Sequence, residues 1–455
     1  MLQWGKRGGI DLSDILFDLT RKTGKIKPVW GVNGGPETKV FTYDAKPLFR
    51  EARFPSCRLH DVEYPYGSGE FVDIPCIFRN FDADETDPAN YNFALTDLYI
   101  QKIIEVGAEP FFRLGVSIEH APVKRHVFPP KDFEKWARIC EHVIRHYNEG
   151  FAGGFHYNIR YWEIWNEADG GDNMWVGTPE EYYRLYTVAA KHLKACFPEL
   201  HIGGGGFTKA RNQFIEGFFE YIQKEHAPLD FYSWHTYHAS PEKLKEKIAE
   251  AEAVKSAYGY WEAESILDEW NYMEDWANQA PSYRIIPSMK GAAFCAADLI
   301  TLQHSPVAMA HYFEADVVKE WCGLFEVAEM SIGRHGPAKL RARKPFYAFS
   351  LFGEIAGRGE EVFSATDDRN AYALAAKDET GATGMIAFYG GDPVVRSLRV
   401  KGLPRGAEIT LSVVNEEHTM KELVHGKVAH GEAQIFLPAR ENEIYALRVN
   451  FENTL

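Results

Sequence analysis

The chain has 455 residues, 45% hydrophobic and 25% charged, enough for one large globular domain and a smaller one. Its 65 acidic residues outnumber 50 basic ones, and a net charge of -15 argues against nucleic acid or an anionic membrane as partner. No run approaches about 18 uninterrupted apolar residues, so no membrane span is expected.

The N-terminus, MLQWGKRGGIDLSD, has no apolar leader segment. Six scattered cysteines form no CxxC pair and read as reduced thiols, so a cytoplasmic location is expected. From residue 28 to 344, eight short apolar runs alternate with helical patterns: KPVWGVNGG, SCRLHDVEY, EPFFRLGVS, YWEIWNEAD, HIGGGGF, DFYSWHTYH, SILDEWNY and AMAHYFEAD. DFEKWARICEHVIRHYN has helical spacing, and Thr178-Pro179-Glu180-Glu181 has the form of a capping box with proline at the first helical position. Eight such repeats fit a (β/α)8 TIM barrel. A doubly wound sheet is the competitor, but no GxGxxG or GxxxxGK[ST] is present, and Gly203 to Gly206 fits a crowded strand end better than a phosphate loop.

After residue 345 the runs NAYALAAK, GMIAFYGG, AEITLSVVN, AQIFLPA and EIYALRVN predict an accessory β-sandwich over 345–455. Residues 1–27 are too short to fold alone and are expected to pair with it.

Barrel active sites lie at the C-terminal strand ends. Glu167 ends the fourth predicted strand and Glu269 the seventh, facing each other across the mouth. Two carboxylates across a cleft suit glycoside hydrolysis: one protonates the leaving oxygen, the other attacks the anomeric carbon or activates water. Glu163 lies about 13 Å deeper along the same strand. It is read as paired inside the barrel with Arg58 or Arg113. Asp268 is expected on the opposite strand face from Glu269, and Asp169 in a turn. His142 and His146 have the spacing of a helical metal pair, but HVIRH lacks the glutamate of HExxH, and both are expected to face away from the apolar stripe. No GxSxG elbow occurs.

WNEADGGDNMW and the following GTPEEYYRLYTVAAKHLKACFPELHIGG resemble glycoside hydrolase family 39, in clan A. So do EPFFRLG, FYSWHTYH, LDEWN and KPFYAFSLFGE. The resemblance implies a retaining enzyme on a (β/α)8 barrel with an accessory sandwich and no cofactor. Glu167 falls on the family's acid/base and Glu269 on its nucleophile. Asn166 falls on the asparagine that bonds the sugar 2-hydroxyl, while Ala168 stands where proline is usual. Arg58 and His60 match an R-x-H pattern. His235, Tyr237 and either Glu314 or Asp316 are further expected pocket residues, with Trp270, Trp175 and Phe313 as candidates to stack on a sugar. The implied substrate is an oligosaccharide or small glycoside, β-D-xylosides first and L-arabinose-containing ones next. A transglycosylase and a non-catalytic sugar-binding protein are the alternatives.

Overall fold

A computed structural model describes residues 15–38, 43–62, 64, 69–315, 321–329, 339–391, 393–429, 431–438 and 440–451. All eight predicted runs form parallel strands of one closed barrel: Gly31–Asn33, Ser56–Arg58, Glu109–Leu114, Tyr161–Ile164, His201–Phe207, Phe231–His238, Glu264–Tyr272 and Val307–Tyr312. The eighth pairs with the first, which closes the ring. A helix follows each strand. The fourth of these, Pro179–Cys196, shows why the sequence is helical there. Thr178 Oγ1 accepts from Glu181 N at 3.2 Å, and the Glu181 carboxylate accepts from Thr178 N at 2.8 Å. This reciprocal cap is worth about 1 kcal/mol. Tyr182, Leu185, Tyr186, Ala189 and Leu193 then bury one face.

The barrel interior is layered. Phe111, Tyr161, Phe231, Ile266 and Met309 form an apolar plug near the strand N-termini. Above it lie the buried charges Arg58, Glu163 and Asp268. The glycine run of the fifth strand makes room for this layer. A Cβ on Gly206 would stand 3.0 Å from Asn166 Oδ1 and 3.1 Å from Arg58 Nη2, and its φ of +47° is left-handed.

Residues just past 345 form a helix, Phe346–Ala356, which packs beside Lys46–Ala52 and Met289–Gln303 as the eighth barrel helix. Its burial on most sides removes the one-faced pattern that marks a surface helix. Nine strands then hydrogen-bond as a separate sheet. Apolar residues from both ends of this sheet meet in one cluster, so it curls over its own core as a sandwich does. The first strand among the described residues, Ile15–Lys25, lies inside it, antiparallel to Glu360–Thr366 and parallel to Arg396–Lys401. No helix among the described residues is long and apolar enough to cross a membrane, and no disulfide joins the six cysteines.

Candidate active site

The fourth strand ends in backbone strain. Trp165 and Glu167 have φ of 72° and 47°, left-handed values that cost a non-glycine residue about 1–2 kcal/mol each. Neighbouring strands hold them there: Trp165 N donates to Leu114 O at 2.6 Å, and Glu167 N to Gly206 O at 2.9 Å. The Trp165 indole is buried and donates to Met174 O at 3.1 Å. These twists turn Asn166 and Glu167 out of the strand and into the mouth.

Glu167 and Glu269 sit in contrasting surroundings. Glu167, 21% exposed at its side chain, has one oxygen 2.8 Å from His235 Nδ1. Burial raises its carboxyl above the ordinary glutamate value despite the opposing pull of His235. Glu269 is 4% exposed and fully bonded. Its Oε1 accepts from Arg58 Nη1 at 2.9 Å and lies 3.0 Å from His60 Nε2, while its Oε2 accepts from Tyr237 OH at 2.8 Å. Burial alone would raise Glu269, but the charges of His235, His60 and Arg58 outweigh it and hold the carboxyl well below the usual range. Glu167, His235 and Glu269 each offer an atom within 4.8 Å of the other two.

Arg58 is the hub beneath them. Its Nε donates to Glu163 Oε2 at 2.8 Å and lies 3.1 Å from Asp268 Oδ2. Nη1 also reaches Asn33 Oδ1 at 3.1 Å, and Nη2 reaches Asn166 Oδ1 at 2.6 Å. Burial pushes Glu163 up to about 8 against the pull of Arg58, with Asp268 adding to the rise. Asp268 goes the other way: burial would raise it, but Arg58 and His235 draw it down to about 2.

The structure brings together Arg58, His60, Asn166, Glu167, His235, Tyr237 and Glu269. Phe313 joins them, its ring edge-on to His60 with centroids 5.2 Å apart. Glu314 is buried at the same strand end, with Cys322 Sγ 4.0 Å from its carboxylate. Asp316 lies outside the described residues.

Several expectations are corrected. Trp270 is 0% exposed and packs against Phe294, Tyr312 and Phe349, so it faces the helical layer. Trp175 is buried edge-on against Trp165 and Tyr182, with its indole N–H on Thr178 O. Neither lines the mouth. Arg113 does not meet Glu163; it bonds Asp73 at 2.6 Å and Ser117. Asp268 points inward with Glu269, because a register shift between Leu267 and Glu269 breaks the strand's alternation. His146 is buried, stacked on Phe93 and bonded to Asp97, whereas His142 bonds Arg138 O. Asp169 does lie in a turn, as expected, and from there accepts from Thr208 and Asn212.

Sequence reasoning missed Trp276, whose ring stands 5.1 Å from that of Tyr237, and Trp321, 6.1 Å from Phe313. The available signal was a tryptophan in the loop after a catalytic strand, where barrels carry their function.

The model of the glycosyl hydrolases family 39 matches residues 13–389, and the chain belongs to that family. It is 28% identical over 315 residues to a beta-xylosidase of Caldicellulosiruptor saccharolyticus, covering 64% of this chain and 61% of that protein. It thus spans about three-fifths of that relative's length. An intracellular exo-alpha-(1->5)-L-arabinofuranosidase of Bacillus subtilis is 25% identical over 237 residues, 45% of each chain. Among solved structures, a glucosidase from Croceicoccus marinus superposes with a TM-score of 0.80 at 22% identity, covering 97% of this chain and 99% of the other. A monomeric beta-xylosidase from Caulobacter crescentus gives 0.71 at 16% identity, covering 96% and 99%. These likenesses establish the shared fold.

Proposed function

We propose that this protein is a retaining, exo-acting glycoside hydrolase, with Glu269 as nucleophile and Glu167 as acid/base. One observation carries the reading: two glutamates with atoms within 4.8 Å of each other face across the mouth, and their surroundings push their carboxyls in opposite directions, Glu167 up and Glu269 down. A retaining pair stands about 5–5.5 Å apart, whereas an inverting pair needs about 6.5–9.5 Å to admit water.

In the first step the ionised Glu269 attacks the anomeric carbon while Glu167 gives its proton to the leaving oxygen. Arg58, His60 and Tyr237 keep Glu269 ionised and aimed. The charge lost from Glu269 on forming the ester removes its repulsion of an ionised Glu167. Glu167 can then act as base, deprotonating the water that releases the sugar. Arg58 occupies the Asn166 carbonyl oxygen, which leaves the amide N–H₂ to donate to a hydroxyl beside the anomeric carbon. That bond strengthens as positive charge builds on the sugar.

A terminal β-D-xylosyl unit is the leading substrate, in line with the beta-xylosidase among the relatives. The arabinofuranosidase relative makes an L-arabinosyl unit the second candidate. A screen of aryl glycosides of xylose, arabinose, glucose, galactose and iduronate tests the choice. NMR of the first-formed sugar tests retention: an inverted product overturns the double displacement. Turnover of none of these glycosides counts against hydrolase action altogether.

A further inference from the structure

Five aromatic rings form an unbroken series of neighbours that passes through Phe313 and Tyr237 at the mouth. Tyr283 lies 5.1 Å from Trp321, Trp321 6.1 Å from Phe313, Phe313 6.3 Å from Tyr237, and Tyr237 5.1 Å from Trp276. Exposure rises outward along one arm. Phe313 is 6% exposed, Tyr237 is partly buried, and Trp276 is 51% exposed.

The loop that carries Trp276 is fixed at several points. Met273 N donates to His238 O at 3.0 Å, and Glu274 N to Ser282 Oγ at 3.0 Å. Asp275 closes a turn around the tryptophan by accepting from Ala277 N at 2.8 Å. A large apolar ring held out toward solvent on a pinned loop loses little freedom when a ligand lands on it.

Depth decides which part of a glycoside meets this ring. The glycosyl unit must descend to Glu269, among His60, Asn166, Tyr237 and Phe313. Tyr237 touches Glu269 with its hydroxyl and Trp276 with its ring, so Trp276 stands one aromatic layer farther out. What protrudes to that level from a bound glycoside is the group on the other side of the glycosidic oxygen. We propose that Trp276 is the platform of a leaving-group subsite that takes the flat face of a ring, either a second pyranose or an aryl group. The proposal rests on the glycosidase reading above.

Three substrates with one common glycosyl unit test it: a nitrophenyl glycoside, a disaccharide and a trifluoroethyl glycoside, whose leaving group has no ring. Trp276→Ala should lower the ratio of kcat/KM for each ring-bearing substrate over the acyclic one by about two- to tenfold, the worth of one aromatic contact. Trp276→Phe should restore most of that ratio. An unchanged ratio, whether all three substrates slow together or none does, overturns the subsite. Wild-type turnover reports separately on the underlying reading: a wild type that processes none of the three sinks hydrolase action and the subsite with it.

Discussion

Glu167 and Glu269 differ in what surrounds them, and their pH behaviour should follow. In the proposed mechanism Glu167 works protonated, so its raised carboxyl should move the basic limb of the kcat/KM profile upward, with activity lost only as pH climbs past that raised value. Glu269 in that mechanism works ionised, so its lowered carboxyl should move the acidic limb below the ordinary glutamate range. Tyr237→Phe removes a hydrogen bond made to the charged form, so the acidic limb should shift to higher pH. A pH–rate profile showing no shift would mean that Tyr237 does not tune the nucleophile. Glu269→Gln should lower turnover by several orders of magnitude, since an amide forms no ester intermediate. Glu167→Ala should cost about 10²–10⁴-fold in kcat/KM on disaccharides, and far less on activated aryl glycosides that leave unprotonated. Azide should relieve the stalled second step; equal losses on both substrate classes would make Glu167 a binding residue. Both glutamates stood out as polar residues late in apolar runs, although the seventh strand continues beyond Glu269 to Tyr272 and the fourth stops at Ile164, short of Glu167. The inward turn of Asp268 was not legible, since a bulge leaves no mark in a pattern of alternating side chains.

Elements were legible wherever one face differed from the other. The Pro179–Cys196 helix follows from its cap and its stripe. The tryptophans were harder: Trp175 and Trp270 lie beside catalytic motifs yet are core, while the exposed Trp276 was passed over. Sequence spacing gives a residue's distance from the motif but not the direction in which a loop turns it. The fifth strand offers a test of the site's support. Gly206→Ala forces a Cβ into a left-handed position against Asn166 and Arg58. It should destabilise the protein by about 1–3 kcal/mol in a denaturant titration, and lower kcat/KM by displacing Asn166. By contrast, Thr178→Ala should cost about 1 kcal/mol through the lost cap and leave the pH profile in place.

At the scale of the whole molecule, barrel and sheet are tied at separated points. Tyr389 OH, from the sheet, donates to Ala239 O at 2.6 Å, two residues past Tyr237. At another tie the Glu361 carboxylate accepts from Gln303 Nε2 at 2.6 Å and lies 2.8 Å from His304 Nε2. Removing residues 1–25 takes out a strand with a partner on each side, and the truncated chain should lose cooperative thermal unfolding or fail to accumulate in soluble form. A sharp, unshifted melting transition would show the strand to be dispensable. That strand's place also dictates a timetable during synthesis. Ile15 is translated before every barrel strand, yet its partners Thr366 and Leu398 are translated only after the last of those strands has been made. At about 5–20 residues per second, its backbone waits tens of seconds with both edges open. The arginine and two lysines in its second half, TRKTGK, keep that waiting edge charged and poorly suited to capture by another nascent chain.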